Sequence, residues 1–205
     1  MVDKKVEKKI QYTGIIFWYY PCDVIYENKH KRGKIMTKIS KVAIVMGSIS
    51  DLDVVKPCLK TLDDFGISFE ARVISAHRTP NEAHDFAVTA KQRGVEVIIG
   101  VAGKAAHLAG VLAAFTTLPV IALPISTKLM GGLDSLLSMV QMPKGVPVAT
   151  VAVDGADNAG ILAAQILGLK YPEIAARLEA FKKDMALKVT GDDKELQARL
   201  EENRK

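Results

Sequence analysis

The sequence predicts an α/β protein, a three-layer α/β/α sandwich around a central parallel sheet with helices at its C-terminal end. Three observations predict it. From Lys41 onward, short apolar runs and longer segments of helical period alternate five times. The first run is continuously apolar, as a strand covered on both faces must be. Each run gives way to small or polar residues and then to a helix, and right-handed crossovers bring all such loops to one edge of the sheet.

The elements follow in order. Val42-Ala43-Ile44-Val45-Met46 is the first strand, broken by the turn residues Gly47-Ser48-Ile49-Ser50-Asp51. A helix follows with Leu52, Val55, Leu59 and Leu62 inward, a capping pair in Ser50 and Asp53, and a stop at Gly66. Pro57 lies inside that helix and predicts a kink or a late start. Ile67, Phe69, Ala71 and Val73 alternate as a second strand. Ser75-Ala76-His77-Arg78-Thr79-Pro80 then leads into a helix with Thr79 as N-cap, Pro80 in the first turn and Glu82 as a capping-box acid. Its inward residues are Ala83, Phe86, Ala87 and Ala90, and Gly94 stops it.

Residues 95–99 read as the third strand, and Gly100 to His107 as a small-residue loop before the helix of Leu108, Val111, Leu112 and Phe115. The fourth strand spans 120–123 between Pro119 and Pro124. A longer connection, 125–143, holds Gly131-Gly132 and a helix through Leu133, Leu136, Leu137 and Val140. The fifth strand spans 146–153, and Asp157-Asn158-Ala159 opens a small-residue helix to Leu167. Two charged amphipathic helices, about 173–188 and 193–200, finish the chain.

Composition excludes several function classes. The formal charge of +5 suggests nucleic acid, yet residues 1–35 hold eight Lys or Arg against four Asp or Glu, which leaves the remainder nearly neutral. No basic stripe interleaved with aromatics appears there, so nucleic acid is not an expected partner. Cys22 and Cys58 stand alone, without a second ligand at metal spacing, so neither a zinc site nor a disulfide framework is indicated and a reducing cytoplasm is the expected compartment. No run reaches the roughly 18 to 20 apolar residues of a membrane helix. Residues 1–35 are basic, carry six of the twelve aromatic residues and lack a sustained period. They are expected to form a flexible N-terminal extension, with residues 36–205 as one α/β domain.

The polar loops carry the chemistry. The loop at 75–80 lies between strand and helix, where exposed N–H groups and the positive helix end form an anion site at the carboxyl edge of a parallel sheet. Ser75 and Arg78 could add a hydroxyl and a fork of donors to a phosphate, and His77 can trade a proton near neutral pH. The plainer alternative is a solvated loop with a surface histidine. Residues 47–51 lack the glycines of a dinucleotide fingerprint and offer two hydroxyls and a carboxylate, a set that suits a sugar phosphate; the alternative is that Ser50 and Asp51 only cap a helix. Gly103-Lys104 fails as a phosphate loop, since Ile98 stands where its first glycine belongs and Ala105 where its Ser/Thr does. His107 falls at the same edge as His77, whereas His84 is a solvated mid-helix residue and His30 belongs to the extension.

These segments resemble a known family. Met46-Gly-Ser-Ile-Ser-Asp51, Ser75-Ala-His-Arg-Thr-Pro80, Ala105-Ala-His-Leu108, Asp134-Ser-Leu136 and Val140-Gln-Met-Pro-Lys-Gly-Val-Pro-Val148 are similar, in the same order, to motifs of the bacterial-type N5-carboxyaminoimidazole ribonucleotide mutases of purine biosynthesis. The resemblance implies a flavodoxin-like fold, a homo-octamer, a ribonucleotide substrate, and movement of a carboxyl group from the exocyclic nitrogen to the ring carbon of aminoimidazole ribonucleotide. It implies no metal and no organic cofactor. By motif, His77 is the proton-transfer residue, Ser48, Asp51 and Arg78 bind the nucleotide, and Ser75 and His107 are their neighbours. The sequence departs from the family's Ala-Gly-Gly-Ala-Ala-His-Leu-Pro-Gly loop, with Lys104 at the second glycine and Ala109 at the proline. Alternatives left open are a carboxylase acting with free carbon dioxide on the same nucleotide and an inactive nucleotide-binding relative.

Overall fold

Val42–Met46 forms strand β1 with all five residues buried, because it lies between two neighbours and beneath helices on both faces. The computed structural model describes residues 11–12, 15–16, 41–128 and 130–203. The chain divides into two units, Met1–Met36 and Thr37–Lys205. In the first, Gln11–Tyr12 pairs antiparallel with Ile15–Ile16; the expectation of a flexible extension otherwise falls outside the described residues.

The second unit adds strands β2 (Phe69–Val73), β3 (Val97–Gly103), β4 (Val120–Ile125) and β5 (Ala149–Thr150) to β1, all parallel, in the order β2-β1-β3-β4-β5. That is the flavodoxin-like order, with its switch point between β1 and β3. Side chains alternate across the sheet as the pleat dictates. Val42, Ile44, Met46, Val97, Ile99, Val101, Ile121 and Leu123 face α1 (Leu52–Asp64), α5 (Ala156–Gly168) and α6 (Pro172–Glu202). Ala43, Val45, Ile98, Ala102, Val120 and Ala122 face α2 (Pro80–Ala90) and α3 (Leu108–Ala114), with Met139 of α4 (Leu133–Val140). Each fully buried Ile or Leu side chain contributes roughly 1.5–3 kcal/mol.

The boundaries correct the sequence reading in four places. β3 runs to Gly103, so the supposed loop from Gly100 is the end of a central strand, paired on both sides through Val101 and with β4 alone at Ala102 and Gly103. The glycine is needed for packing, since a Cβ at Gly100 would lie 2.8 Å from the Cα of Ala109 on α3. β4 continues through Pro124, whose carbonyl accepts from the Asp154 amide. β5 shrinks to two residues, because it is an edge strand preceded by Pro147, which has no N–H to give. The two terminal helices are one, of 31 residues; Gly191 costs that helix about 1 kcal/mol but does not break it.

Helix α1 is continuous through Pro57, which is exposed. Its start is capped differently from the expected Ser50/Asp53 pair: Ser48 accepts from the Ser50 amide and opens a 3-10 turn, Ile49–Asp51, ahead of the helix.

Glu96, just before β3, ties the sheet to the last helix. Its carboxylate takes Lys41 Nζ at 2.6 Å and Lys170 Nζ at 3.0 Å, and accepts a hydrogen bond from the Tyr171 hydroxyl. Burial pushes the carboxyl up, but the hydrogen bonds from Lys41, Tyr171 and Lys170 outweigh it and hold the group at about 2. A carboxyl held low stabilises the fold fully above its ordinary value near 4.5 and loses that contribution as pH falls through about 2. The contribution is about 2 kcal/mol, somewhat below the full shift because Lys170 is solvent-screened. Urea midpoints should therefore fall between pH 5 and pH 2.5 by more in the native chain than in Glu96→Gln, which is already destabilised at pH 7. Parallel pH profiles for the two proteins would refute the linkage.

Candidate active site

Three loops meet at the carboxyl ends of β2, β1 and β3, around the switch point where open parallel sheets take their ligands. The first, after β1, carries Ser48, Ser50 and Asp51. Ser50 Oγ lies 2.8 Å from Ser48 Oγ and 3.3 Å from Asp51 Oδ1, so the hydroxyls and carboxylate form one connected polar edge. Burial raises the Asp51 carboxyl above its ordinary range, and hydrogen bonds from the Ser50 side chain and the Ser48 backbone oppose that rise. This edge can take ribose hydroxyls, which both donate and accept.

The second loop, 75–79, is held by its own side chains. The Ser75 amide donates to Thr79 Oγ1 at 3.0 Å, and that hydroxyl lies 3.1 Å from the Ser75 carbonyl. Thr79 is thus the N-cap of α2 by position, but its hydroxyl closes the loop instead of capping a helix amide, contrary to the expected capping box. Ser75 Oγ accepts from the Arg78 amide at 3.2 Å and from Arg78 Nε at 3.3 Å. Arg78 Nη2 crosses to the first loop and donates to the Gly47 carbonyl at 2.7 Å. The guanidinium therefore already braces two loops, a role the sequence did not reveal because its acceptor is a backbone oxygen 31 positions away.

The third loop is only Lys104 to His107. His77 Nε2 lies 3.0 Å from His107 Nδ1, with the rings edge to face and both side chains exposed. One ring nitrogen must donate and the other accept, so the two imidazoles can share a proton. The structure thus brings together Ser48 with Asp51, Ser75 with Arg78, and His77 with His107. His84 stays outside, on α2 against Asp85 and Phe115, and His30 lies outside the described residues.

The β4–α4 connection stands at the same edge. Asp134 accepts from Thr127 Oγ1 at 3.0 Å, and the buried Ser135 hydroxyl lies 2.7 Å from the Ile125 carbonyl and 2.8 Å from that of Gly132. Asp154, itself at a positive φ of 56°, accepts from the Ser126 amide at 2.9 Å and pins this connection to the β5 side. A lone Asp in a turn gave no sequence signal for that role.

Lys104 has φ of 61°, a left-handed conformation that costs a side-chain-bearing residue roughly 1–2 kcal/mol. That accounts for the glycine expected there. Lys104→Gly should leave the melting temperature unchanged or slightly higher, because relief of the backbone offsets the glycine's extra freedom when unfolded. Its turnover should match the native chain; a loss of tenfold or more would instead show that the ammonium group holds the substrate.

Residues 41–188 match the family model described as AIR carboxylase. The N5-carboxyaminoimidazole ribonucleotide mutase of Pyrococcus abyssi is 59% identical over 145 residues, covering 71% of this chain and 83% of that protein. The protein of the same name from Thermotoga maritima is 55% identical over 149 residues, covering 73% and 87%. Among solved structures, Treponema denticola PurE superposes with a TM-score of 0.69 at 30% identity, covering 76% of this chain and 97% of that one.

Proposed function

The chain belongs to the AIR carboxylase family, and on that premise we propose that it converts N5-carboxyaminoimidazole ribonucleotide to 4-carboxyaminoimidazole ribonucleotide with His77 as the proton carrier. The reaction is an isomerisation in purine biosynthesis. The bond from the exocyclic nitrogen to the carboxyl carbon breaks, carbon dioxide is held, and a bond from the ring carbon to it forms. The nitrogen gains a proton and the ring carbon loses one, so a single group that gives and then takes back a proton balances the sequence. An imidazole suits that exchange near neutral pH.

The observation that supports the assignment is the 3.0 Å contact between His77 and His107 where three loops converge. His107 would orient the His77 ring and fix its tautomer. The start of α2, with Pro80 in its first turn, together with Arg78, would take the phosphate, and the Ser48–Asp51 edge the ribose. Work on a charged, diffusible nucleotide suits the cytoplasm, and among the described residues no helix is long and apolar enough to cross a membrane. We also infer a homo-octamer, supported by Met130, Leu133, Leu137 and Val140, which stand about half exposed at helical spacing on and before α4.

The test is turnover of the carbamate nucleotide, followed by product absorbance with and without bicarbonate. Equal rates in both support the mutase. A rate seen only with aminoimidazole ribonucleotide and bicarbonate would make the chain a carboxylase, and turnover in neither an inactive binder.

A further inference from the structure

Helix α6 is 31 residues long, about 46 Å at 1.5 Å per residue, yet only its first part rests on the domain. Ile174, Leu178 and Phe181 cover the core, Phe181 meets Phe65 edge to face at 5.6 Å, and Arg177 donates to the Phe65 carbonyl. Every residue from Lys182 to Asn203 is exposed. The apolar stripe does not stop where the domain does. At 100° per residue, Met185, Val189, Leu196 and Leu200 continue the line of Ile174, Leu178 and Phe181, and they are 50%, 68%, 52% and 43% exposed. The stripe therefore leaves the domain with nothing of its own chain to bury it.

We propose that residues 185–200 pair with the same segment of a second copy of this chain, in antiparallel orientation. Charge selects both the occupant and the direction. The inner half of the exposed helix carries Lys182, Lys183 and Lys188 against Asp184 alone, and the outer half carries Asp192, Asp193, Glu195, Glu201 and Glu202 against Lys194 and Arg199. Antiparallel copies set the basic half of each against the acidic half of the other, whereas parallel copies set like against like. In the register that closes the stripe on itself, Met185 faces Leu200 and Val189 faces Leu196. In that register Asp192 of each copy stands level with Asp193 of the other where the two helices would cross, and this group of carboxylates limits the affinity.

Disulfide trapping in the full chain tests this. Under mild oxidation, a variant carrying both Val189→Cys and Leu196→Cys should shift to twice the 22.2 kDa chain mass on a denaturing gel. Neither single variant should do so, because antiparallel copies hold identical positions about 10 Å apart along the axis, beyond the reach of a disulfide. The unsubstituted chain controls for its own cysteines. Cross-linking of the single variants would mean parallel pairing and would overturn the proposal, as would a double variant that stays monomeric on the gel. In the unsubstituted chain, amide exchange over 185–200 should slow as protein concentration rises; equally fast exchange at every concentration would also overturn it.

Discussion

Replacing His77 with asparagine should lower turnover by about 100 to 10,000-fold while leaving nucleotide affinity near its native value. Asparagine approximates the size of the imidazole and keeps one hydrogen-bonding edge toward His107, so the loop has no reason to move. It cannot give a proton to a nitrogen and then take one back from a ring carbon. The two effects separate cleanly: kcat reads the lost proton transfer, and calorimetric binding of the product reads the intact site. His107→Asn should cost less, on the order of tenfold, and should shift the pH profile of kcat, since its proposed work is to set the tautomer and orientation of His77. If His77→Asn kept near-native turnover while His107→Asn lost it, the two histidines would exchange roles.

How far the sequence could reach is visible in these same loops. The order of the elements was legible because buried parallel strands leave continuous apolar runs, and β1 is found where the run 42–46 lies. The faces of α2 were legible from period alone, with Ala83, Phe86, Ala87 and Ala90 all buried. The strand ends were not. Small residues from Gly100 to Gly103 look like a loop in one dimension, and only the approach of α3 across the sheet explains why glycine belongs inside a central strand. The site was legible as residue types in the right loops. Its geometry was hidden wherever a partner is backbone, as for Arg78 on the Gly47 carbonyl, or wherever two residues thirty positions apart face each other, as His77 and His107 do. The single long α6 was hidden by Thr190-Gly191-Asp192-Asp193, which reads as a break although Thr190 bonds back to the Ala186 carbonyl and the helix runs on.

Arg78→Ala should raise the Michaelis constant by about 10 to 100-fold and lower kcat by much less, because on the proposed assignment it would remove a charge-assisted contact to the phosphate in both the ground and the transition state. The structure adds a second consequence. Arg78 also joins the 75–79 loop to the Gly47 carbonyl, so its loss frees the two loops that would hold the ribose and the reacting ring. Arg78→Lys separates the two roles. An ammonium keeps a positive charge for the phosphate but cannot reproduce the fork that reaches Ser75 and Gly47 together. If phosphate binding dominates, lysine should restore most of the affinity, and inhibition by ribose 5-phosphate should weaken in Arg78→Ala but return in Arg78→Lys. If the brace dominates, lysine and alanine should be equally poor, kcat should fall with the affinity, and amide exchange in residues 47–51 and 75–79 should quicken in both variants. The first pattern is the expected one on the proposed assignment, since the bonds to Ser75 and Gly47 are made by Nε and Nη2 and do not engage Nη1.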